Sequence, residues 1–169
     1  MHVVCLDLEG VLVPEIWIAF AQRTGIDGFR ITTRDEPDYD KLMHYRIDLL
    51  ARHGLKLADI QAVIGGMAPL DGAKPFLDAL REVYQVVILS DTFYEFADPL
   101  MRQLGWPTLF CHRLVVDDAG FVRGYKLRMA DQKRHAVVVR FDELVRVHRQ
   151  PGIHDSKFLG LFDKARPRQ

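Results

Sequence analysis

The sequence predicts an α/β fold with a doubly wound, mostly parallel sheet, and three observations support this prediction. An apolar run opens the chain and another begins near residue 85, and both end on polar side chains, as expected of buried parallel strands. Segments with helical periodicity lie between the two runs. Strands that alternate with helices are typical of an α/β sheet, in which ligands bind at the carboxyl ends of the strands.

The composition indicates a protein with one packed core. Hydrophobic residues make up 49% of the 169 residues, and no apolar stretch is long enough to span a bilayer. The start lacks the basic and apolar regions of a secretory signal. The two cysteines are Cys5 and Cys111, and we expect Cys5 to be a small buried side chain in a strand. These features predict a cytoplasmic protein without disulfides and without a membrane or nucleic-acid partner.

A helical insertion is predicted between the first strand, residues 2–8, and the second. Three helical patterns occur there without a strand of their own, and they cover residues 15–24, 38–54 and 57–64. Asp38 provides a start signal for the middle helix and a glycine ends it. We therefore expect residues 14–70 to form a helical cap, and residues 1–13 and 71–147 to form the core.

The second half of the chain predicts a helix, a buried strand, another helix and a β-hairpin. In order, these elements cover residues 71–84, 85–92, 93–105 and 109–127. The hairpin turn has the sequence DDAG. A final helix is expected over residues 132–147, because Val137, Phe141, Leu144 and Val145 lie on one helical face.

Both strong strands are followed by groups that can handle a phosphoryl group. Asp7, at the tip of the first strand, is placed to act as a nucleophile, because carboxylates form acyl phosphates. Glu9 is a separate acid that can protonate a leaving alkoxide. Gly10 allows close approach of the backbone to a phosphate, and Ser90 offers a hydroxyl group at the end of the second strand. A lysine would be needed to stabilise the charge of the transferring group.

These motifs also fit a structural role or another class of phosphorylated protein. Ser90, Asp91 and Thr92 would also cap the following helix well, and each motif taken alone is more typical of structure than of catalysis. A response-regulator receiver also combines an acidic pocket, a hydroxyl group and a lysine on such a sheet. It carries its phosphorylated aspartate on a later strand and has no helical lid, so the position of Asp7 argues against it. The order of the motifs around a helical insertion favours phosphoryl transfer.

The motifs resemble those of the haloacid dehalogenase superfamily of phosphotransferases. DLEGVLVPE resembles the first motif in the variant with glutamate as its second acid, and VILSDT resembles the second. DQKRHAVV resembles the third motif and contributes Lys133. Together with EIWIAFA and DYDKLMHYR, they are most similar to phosphoserine phosphatase-like enzymes that also transfer phosphate to homoserine. The resemblance extends over roughly residues 1–147 and is more specific than a short motif match.

The resemblance implies a reaction and a cofactor. Enzymes of this kind hydrolyse L-phosphoserine through an aspartyl-phosphate, which would form on Asp7, and serve serine biosynthesis. Glu9 would be the acid and base, and Mg²⁺ would contact both Asp7 and Glu9. Water would be the default acceptor, and homoserine is a second acceptor by resemblance. A homodimer is compatible with this expectation.

The resemblance also implies which residues bind a small phosphorylated amino acid. Glu15 would bind the ammonium group of phosphoserine and Arg46 its carboxylate through a bidentate fork. The phosphate and the rest of the substrate would contact Ser90, Asp91 and Lys133. Without the resemblance, Arg46 is equally well interpreted as a surface residue of its helix.

The chain departs from the family pattern after residue 147. The family continues with an apolar strand that runs into a Gly-Asp turn and completes the magnesium site. Here Pro151 would disrupt a central strand, and two residues separate Gly152 from Asp155. The carboxy-terminal part of the core is therefore expected to be truncated, with residues 148–169 as an atypical basic tail.

Three explanations of this departure stay open. Asp155 or Asp163 would replace the missing metal ligand, a frameshift or truncation would have altered the end, or the protein would bind phosphorylated amino acids without catalysis. Residues 146–169 contain six basic and two acidic side chains, a net charge of +4, although the whole chain has a net charge of zero. This abrupt change in charge favours the second explanation.

Overall fold

The structure is a computed structural model, and it describes residues 3–133. The strands are β1 (Val3–Leu6), β2 (Gln85–Phe93), β3 (Thr108–Val116) and β4 (Val122–Lys126). The helices are α1 (Ile16–Thr24), α2 (Tyr39–Arg52), α3 (Leu57–Gly65), α4 (Ala73–Val83) and α5 (Tyr94–Gln103), and a 3₁₀ helix covers Asp27–Arg30. The predicted helix over 132–147 and the tail over 148–169 lie outside the described residues, except for the first two positions of that helix.

The four strands form one sheet in the order β1-β2-β3-β4. β1 pairs with β2, and β2 with β3, in parallel, whereas β3 and β4 form an antiparallel hairpin. The parallel pairs are joined through helical segments, as parallel strands require. The predicted α/β fold with a mostly parallel sheet and a hairpin is therefore confirmed.

β1 is less buried than its sequence suggests. Cys5 is exposed, so the expectation of a buried cysteine is wrong. Within residues 3–133, β1 is an edge strand that pairs with β2 alone, whereas β2 has a neighbour on each side. Side chains of a strand point to the two faces of the sheet, and an apolar sequence run does not reveal which of them the rest of the chain covers.

An aromatic cluster anchors the first helix. Trp17 and Phe20 of α1 are buried against Phe29 of the 3₁₀ helix, and the Trp17 and Phe29 rings stack with centroids 5.7 Å apart. Burial of each large apolar side chain contributes roughly 1.5–3 kcal/mol. Gly25, with a φ of 71°, ends the helix in the left-handed conformation that glycine adopts without strain. This packing fixes the position of α1, whose first residue, Ile16, contacts the candidate site.

The buried face of helix α2 is apolar except for one charged residue, Arg46. The Asp38 side chain caps the helix by accepting a hydrogen bond from the Lys41 backbone N–H at 3.1 Å. Leu42, Arg46 and Leu49 recur at helical spacing and are all buried. The amphipathic pattern therefore carries Arg46 into the protein together with the leucines.

The helical segment after β1 contacts the hairpin directly. The Tyr125 hydroxyl of β4 donates a hydrogen bond to the Asp40 carboxylate of α2. The Leu57 N–H donates to the Gly120 carbonyl in the hairpin turn at 3.0 Å. Residues 14–70 contain helices and no strand in the structure, although their division from the core as a cap stays a prediction. Among residues 3–133, no helix has the length and apolar character needed to cross a bilayer.

Candidate active site

An irregularity in β2 shapes the edge of the sheet where the predicted polar residues lie. Leu89 pairs with Phe110 and Phe93 with His112, so three residues of β2 lie opposite one residue of β3. A bulge of this kind bends the strand and redirects its side chains. The Thr92 N–H donates to the Ser90 hydroxyl oxygen within the bulge at 3.3 Å. The bulge therefore contains Ser90 and Asp91 and separates them from the regular ladder.

Two aspartates and a lysine form a charged cluster at the carboxyl ends of β1 and β2. Asp7 follows β1 directly, and its Oδ1 accepts a hydrogen bond from the Leu8 N–H at 2.8 Å. Lys133 Nζ lies 2.7 Å from Asp7 Oδ2 and 3.1 Å from Asp91 Oδ2. The structure thus brings together three predicted site residues that are up to 126 positions apart in the chain.

Pairing keeps Asp91 and Lys133 charged. Burial pushes the pKa of Asp91 upward, but the His112 imidazole and then the Lys133 ammonium outweigh it and hold the pKa at about 2. Burial lowers the pKa of Lys133, but Asp7 and Asp91 outweigh it and raise the pKa above its ordinary value. At neutral pH Lys133 therefore stays an ammonium group and Asp91 a carboxylate.

Glu9, two residues after Asp7, lies in a different environment. Its Oε2 accepts a hydrogen bond from the Ile16 N–H at the start of α1, at 2.9 Å. Burial raises the pKa of Glu9 from 4.5 to about 7, and the negative charge of Glu15 adds to this increase against the opposing Ile16 hydrogen bond. A carboxyl group with a pKa near neutrality can donate and accept a proton at physiological pH.

Glu15 lies at the amino end of α1 with its side chain exposed. Gly10 has a φ of 73°, and a Cβ atom at this position would lie 3.5 Å from Glu15 Oε1, in ordinary contact distance. The left-handed backbone, rather than lack of space, therefore requires glycine here. Among the described residues, the Glu15 side chain makes no capping hydrogen bond, so its carboxylate stays available for a cationic ligand.

Arg46 is 7% exposed, so its alternative interpretation as a surface residue is wrong. Its guanidinium lies 4.8 Å from the Trp17 ring centroid, and its Nη2 donates to the Ile31 carbonyl at 2.9 Å. Its Nε is buried and has no hydrogen-bond partner among the described residues. Burial lowers the pKa of Arg46 to about 10, and the charge of Glu9 is the first of the groups that oppose this. A buried guanidinium with an unmade hydrogen bond is suited to an anionic ligand.

Three residues around Asp91 were not singled out from the sequence. The Tyr39 hydroxyl donates to the Asp91 carbonyl at 2.9 Å, and the Gln132 amide lies 3.3 Å from Asp91 Oδ1. His112 Nε2 lies 3.5 Å from the same Oδ1 atom. A histidine within the apolar run of β3, and a glutamine next to Lys133, were the available signals. Neither signal identifies a contact across the sheet.

The residues fit part of a magnesium site. Asp7 is a hard oxygen ligand, and Mg²⁺ commonly takes one or two protein carboxylates together with phosphate oxygens and water. With a pKa of about 7, the Glu9 carboxyl group is partly protonated at neutral pH and is the weaker ligand. Residues 3–133 contain no group of three or more histidine, cysteine, aspartate or glutamate side chains arranged to hold a metal. Asp155, the predicted substitute ligand, lies outside the described residues.

Solved structures share this fold. One described as a phospho-aspartyl intermediate analogue of phosphoserine phosphatase matches with a TM-score of 0.66 and 17% identity, over 85% of this chain and 71% of its own. A phosphoserine phosphatase from T. onnurineus matches with a TM-score of 0.58 and 24% identity, over 83% of this chain and 70% of its own. At these identities, the similarity is evidence of a common fold.

Two curated proteins are much more similar in sequence. Phosphoserine phosphatase ThrH of Pseudomonas aeruginosa is 64% identical over 138 residues, which cover 82% of this chain and 67% of that protein. A phosphoserine phosphatase of Pseudomonas syringae pv. tomato is also 64% identical over 138 residues, 82% of this chain and 58% of its own length. The chain therefore spans about two thirds or less of the length of these relatives.

The family assignment rests on the same part of the chain. A family model described as haloacid dehalogenase-like hydrolase matches residues 1–137. This range contains β1 to β4 and every site residue that the structure describes, and the relatives at 64% identity match over a similar length. The chain belongs to the haloacid dehalogenase-like hydrolases, a family of enzymes.

Proposed function

We propose that the protein hydrolyses the phosphomonoester of L-phosphoserine through an aspartyl-phosphate on Asp7. The observation that carries this proposal is the 2.7 Å contact between Lys133 Nζ and Asp7 Oδ2, directly after β1. It places a cation against the carboxylate that would attack phosphorus, where charge develops in the transition state. The names of the two relatives at 64% identity support phosphoserine as the substrate.

In the first step, a carboxylate oxygen of Asp7 attacks phosphorus and the bond from phosphorus to the serine oxygen breaks. Glu9 donates its proton to the departing serine oxygen, which leaves as a hydroxyl group. Burial favours the protonated form of Glu9 that this step needs, because its pKa is about 7. Lys133 remains charged and faces the anionic phosphoryl group.

In the second step, the Glu9 carboxylate takes a proton from a water molecule as the water attacks phosphorus. The bond between phosphorus and Asp7 breaks, which releases inorganic phosphate and restores the Asp7 carboxylate. Glu9 ends the cycle protonated, as it began. One residue with a pKa near neutrality can serve both steps because each step needs the opposite protonation state.

The substrate's amino-acid end would lie against the helical segment. Arg46 would bind its carboxylate, because the buried Nε has a hydrogen bond to offer. Glu15 would bind its ammonium group with an exposed carboxylate. An anionic and a cationic anchor together match the two charges of an amino acid.

Mg²⁺ would be held in part by Asp7, with a further contact to Glu9. When bound, it would neutralise negative charge on the phosphate oxygens and so ease the attack of an anionic nucleophile.

We therefore expect the purified protein to release phosphate from L-phosphoserine when Mg²⁺ is present and to stop when EDTA is added. Malachite green detection of free phosphate measures this rate. If the protein binds L-phosphoserine in a calorimetric titration without releasing phosphate, the hydrolytic proposal is wrong and a binding-only relative is supported.

Homoserine is the second acceptor that we propose. Attack of its hydroxyl group on the aspartyl-phosphate, with Glu9 as base, would form phosphohomoserine and leave the rest of the cycle unchanged. ³¹P spectra of a reaction with added homoserine distinguish this product from inorganic phosphate. Inorganic phosphate as the sole product at saturating homoserine would restrict the acceptor to water.

Replacement of Arg46 tests substrate recognition. We expect Arg46→Met to raise KM for L-phosphoserine by about tenfold to a hundredfold, because a charged hydrogen bond to the substrate carboxylate is lost. Phosphoethanolamine, which has the amine and phosphate but no carboxylate, should be hydrolysed by parent and variant with similar kcat/KM. Arg102→Met, at an exposed arginine of α5, is the matched control. An equal loss with both substrates would contradict a carboxylate-binding role for Arg46.

A further inference from the structure

His112 is a buried polar residue that the proposed reaction does not use. It lies on β3 with 3% of its surface exposed. Its ring lies against Tyr39 and Phe93, with centroids 5.8 and 6.3 Å away. The two ring nitrogens of a buried imidazole are polar, and buried polar atoms need hydrogen-bond partners.

The hydrogen bonds define the tautomer of His112. The Arg128 backbone N–H donates to Nδ1 at 3.1 Å, so Nδ1 must carry a lone pair. The proton of the ring therefore lies on Nε2, which is 3.5 Å from Asp91 Oδ1. The imidazole presents an N–H group to the Asp91 carboxylate.

Asp91 links this histidine to the reacting carboxylate. Its Oδ1 faces His112 and also the Gln132 amide, at 3.3 Å. Its Oδ2 lies 3.1 Å from Lys133 Nζ, and Lys133 in turn lies 2.7 Å from Asp7. The two Asp91 oxygens thus make different contacts: Oδ1 faces the His112 and Gln132 donors, and Oδ2 faces Lys133.

We propose that His112 is a positioning residue whose Nε2–H holds Asp91 in the orientation that aims Lys133 at Asp7 and at the substrate phosphate. This inference rests on the proposed function where it concerns the phosphate. Electrostatics support it, since His112 is the strongest of the interactions that lower the pKa of Asp91 against its burial. Without this contact Asp91 Oδ1 loses its imidazole donor and keeps the Gln132 amide, so the carboxylate is held less firmly against Lys133.

The first test is the tautomer, which does not depend on activity. Long-range ¹H–¹⁵N spectra of the full chain distinguish Nε2–H from Nδ1–H imidazole. We expect the Nε2–H tautomer for the neutral ring of His112. An Nδ1–H tautomer would overturn the inference, whatever the enzymatic activity is.

The second test compares two variants that each keep half of the imidazole's contacts. In His112→Gln, the amide nitrogen replaces Nε2 and keeps the donor toward Asp91. In His112→Asn, the side-chain oxygen replaces Nδ1 and keeps the acceptor for the Arg128 N–H, but the side chain does not reach Asp91. We expect kcat of His112→Asn to fall about tenfold to a hundredfold, because misplacement of a catalytic group is costly. His112→Gln should stay within about threefold of the parent, because a donor toward Asp91 remains.

Asp91→Ala completes the experiment. If His112 acts through Asp91, adding His112→Asn to Asp91→Ala produces no further loss, since the two changes share one effect. Equal loss in the two histidine variants, or a loss that follows their unfolding temperatures, would show a structural role instead. Affinity for inorganic phosphate, measured by calorimetry, gives the same comparison if the parent releases no phosphate. In that case the proposed function fails while the role of His112 is still decided.

Discussion

Replacement of Asp7 with asparagine is expected to lower kcat for phosphate release from L-phosphoserine at least about a thousandfold, because an amide is a very weak nucleophile. Asparagine has almost the same shape, and its side-chain oxygen can still accept from the Leu8 N–H. The pair with Lys133 is partly exposed on both sides, with 35% and 43% of the two side chains accessible. A pair of this exposure contributes little to folding, so the unfolding temperature should change only slightly.

The control for this variant is Asp98→Asn on α5. Asp98 also pairs with a cation, Arg102, at 3.5 Å, and it is exposed on α5 outside the charged cluster of Asp7, Asp91 and Lys133. The same chemical change at Asp98 should leave phosphate release unaffected. Trapping of the phosphorylated chain by acid quench and mass spectrometry should locate the phosphoryl group on Asp7 in the parent. Turnover by Asp7→Asn at more than a tenth of the parental rate would contradict covalent catalysis by Asp7.

Replacement of Glu9 with glutamine is expected to have two opposite effects. It should lower kcat by about a hundredfold to ten-thousandfold, because glutamine can neither donate nor accept the proton in the reaction. It should also stabilise the folded protein above neutral pH, because a buried carboxylate is replaced by a neutral amide that can still accept from the Ile16 N–H. Loss of activity with gain of stability is the signature of a carboxyl group held at a raised pKa for catalysis.

The pH dependence follows from the direction of this pKa shift. The folded protein holds the Glu9 proton up to about pH 7, whereas the unfolded chain releases it near 4.5. The stabilisation from Glu9 is therefore fully present below pH 4.5 and is lost as the pH rises toward 7. The loss amounts to at most ~3 kcal/mol, from 1.36 kcal/mol for each unit of pKa. Urea unfolding at pH 5, 6, 7 and 8 measures it as a change in the free energy of unfolding.

Glu95→Gln is the matched control for this prediction. Glu95 is also half-buried, and its Oε2 likewise accepts a single backbone hydrogen bond, from the Leu114 N–H at 2.9 Å. We expect its replacement to leave kcat close to the parental value. If the parent and Glu9→Gln showed the same slope, Glu9 would not titrate near neutrality, and its assignment as the acid would be wrong.

Secondary structure could be predicted from sequence because its causes are local. The apolar run before Ser90 produces β2, and the Asp38 cap with Leu42 and Leu49 at helical spacing produces α2. Order along the chain also predicted the parallel sheet, since helical segments between strands require crossover connections. The bulge at residues 90–92 could not be predicted, because it depends on the register with β3.

The candidate site was only partly accessible to the same reasoning. The positions of Asp7, Glu9 and Ser90 at strand ends are visible as local patterns, and the likeness to a family supplied Lys133 and Arg46. The environment of each group was not visible. Whether Arg46 lies on the surface or is buried depends on which face of α2 meets the protein, and the structure shows it against Trp17.

Local patterns alone therefore established the α/β class, the order of the elements and the acidic residues that follow the first strand. Tertiary structure decided which of these groups meet and in what state of charge. Lys133 reaches Asp7 across 126 positions, His112 faces Asp91 across the sheet, and Cys5 is exposed on β1. The physical reason is that desolvation and hydrogen bonding depend on distance in space. Neighbours in the chain reveal a helix or a strand, whereas the pKa of a carboxyl group depends on every segment that packs around it.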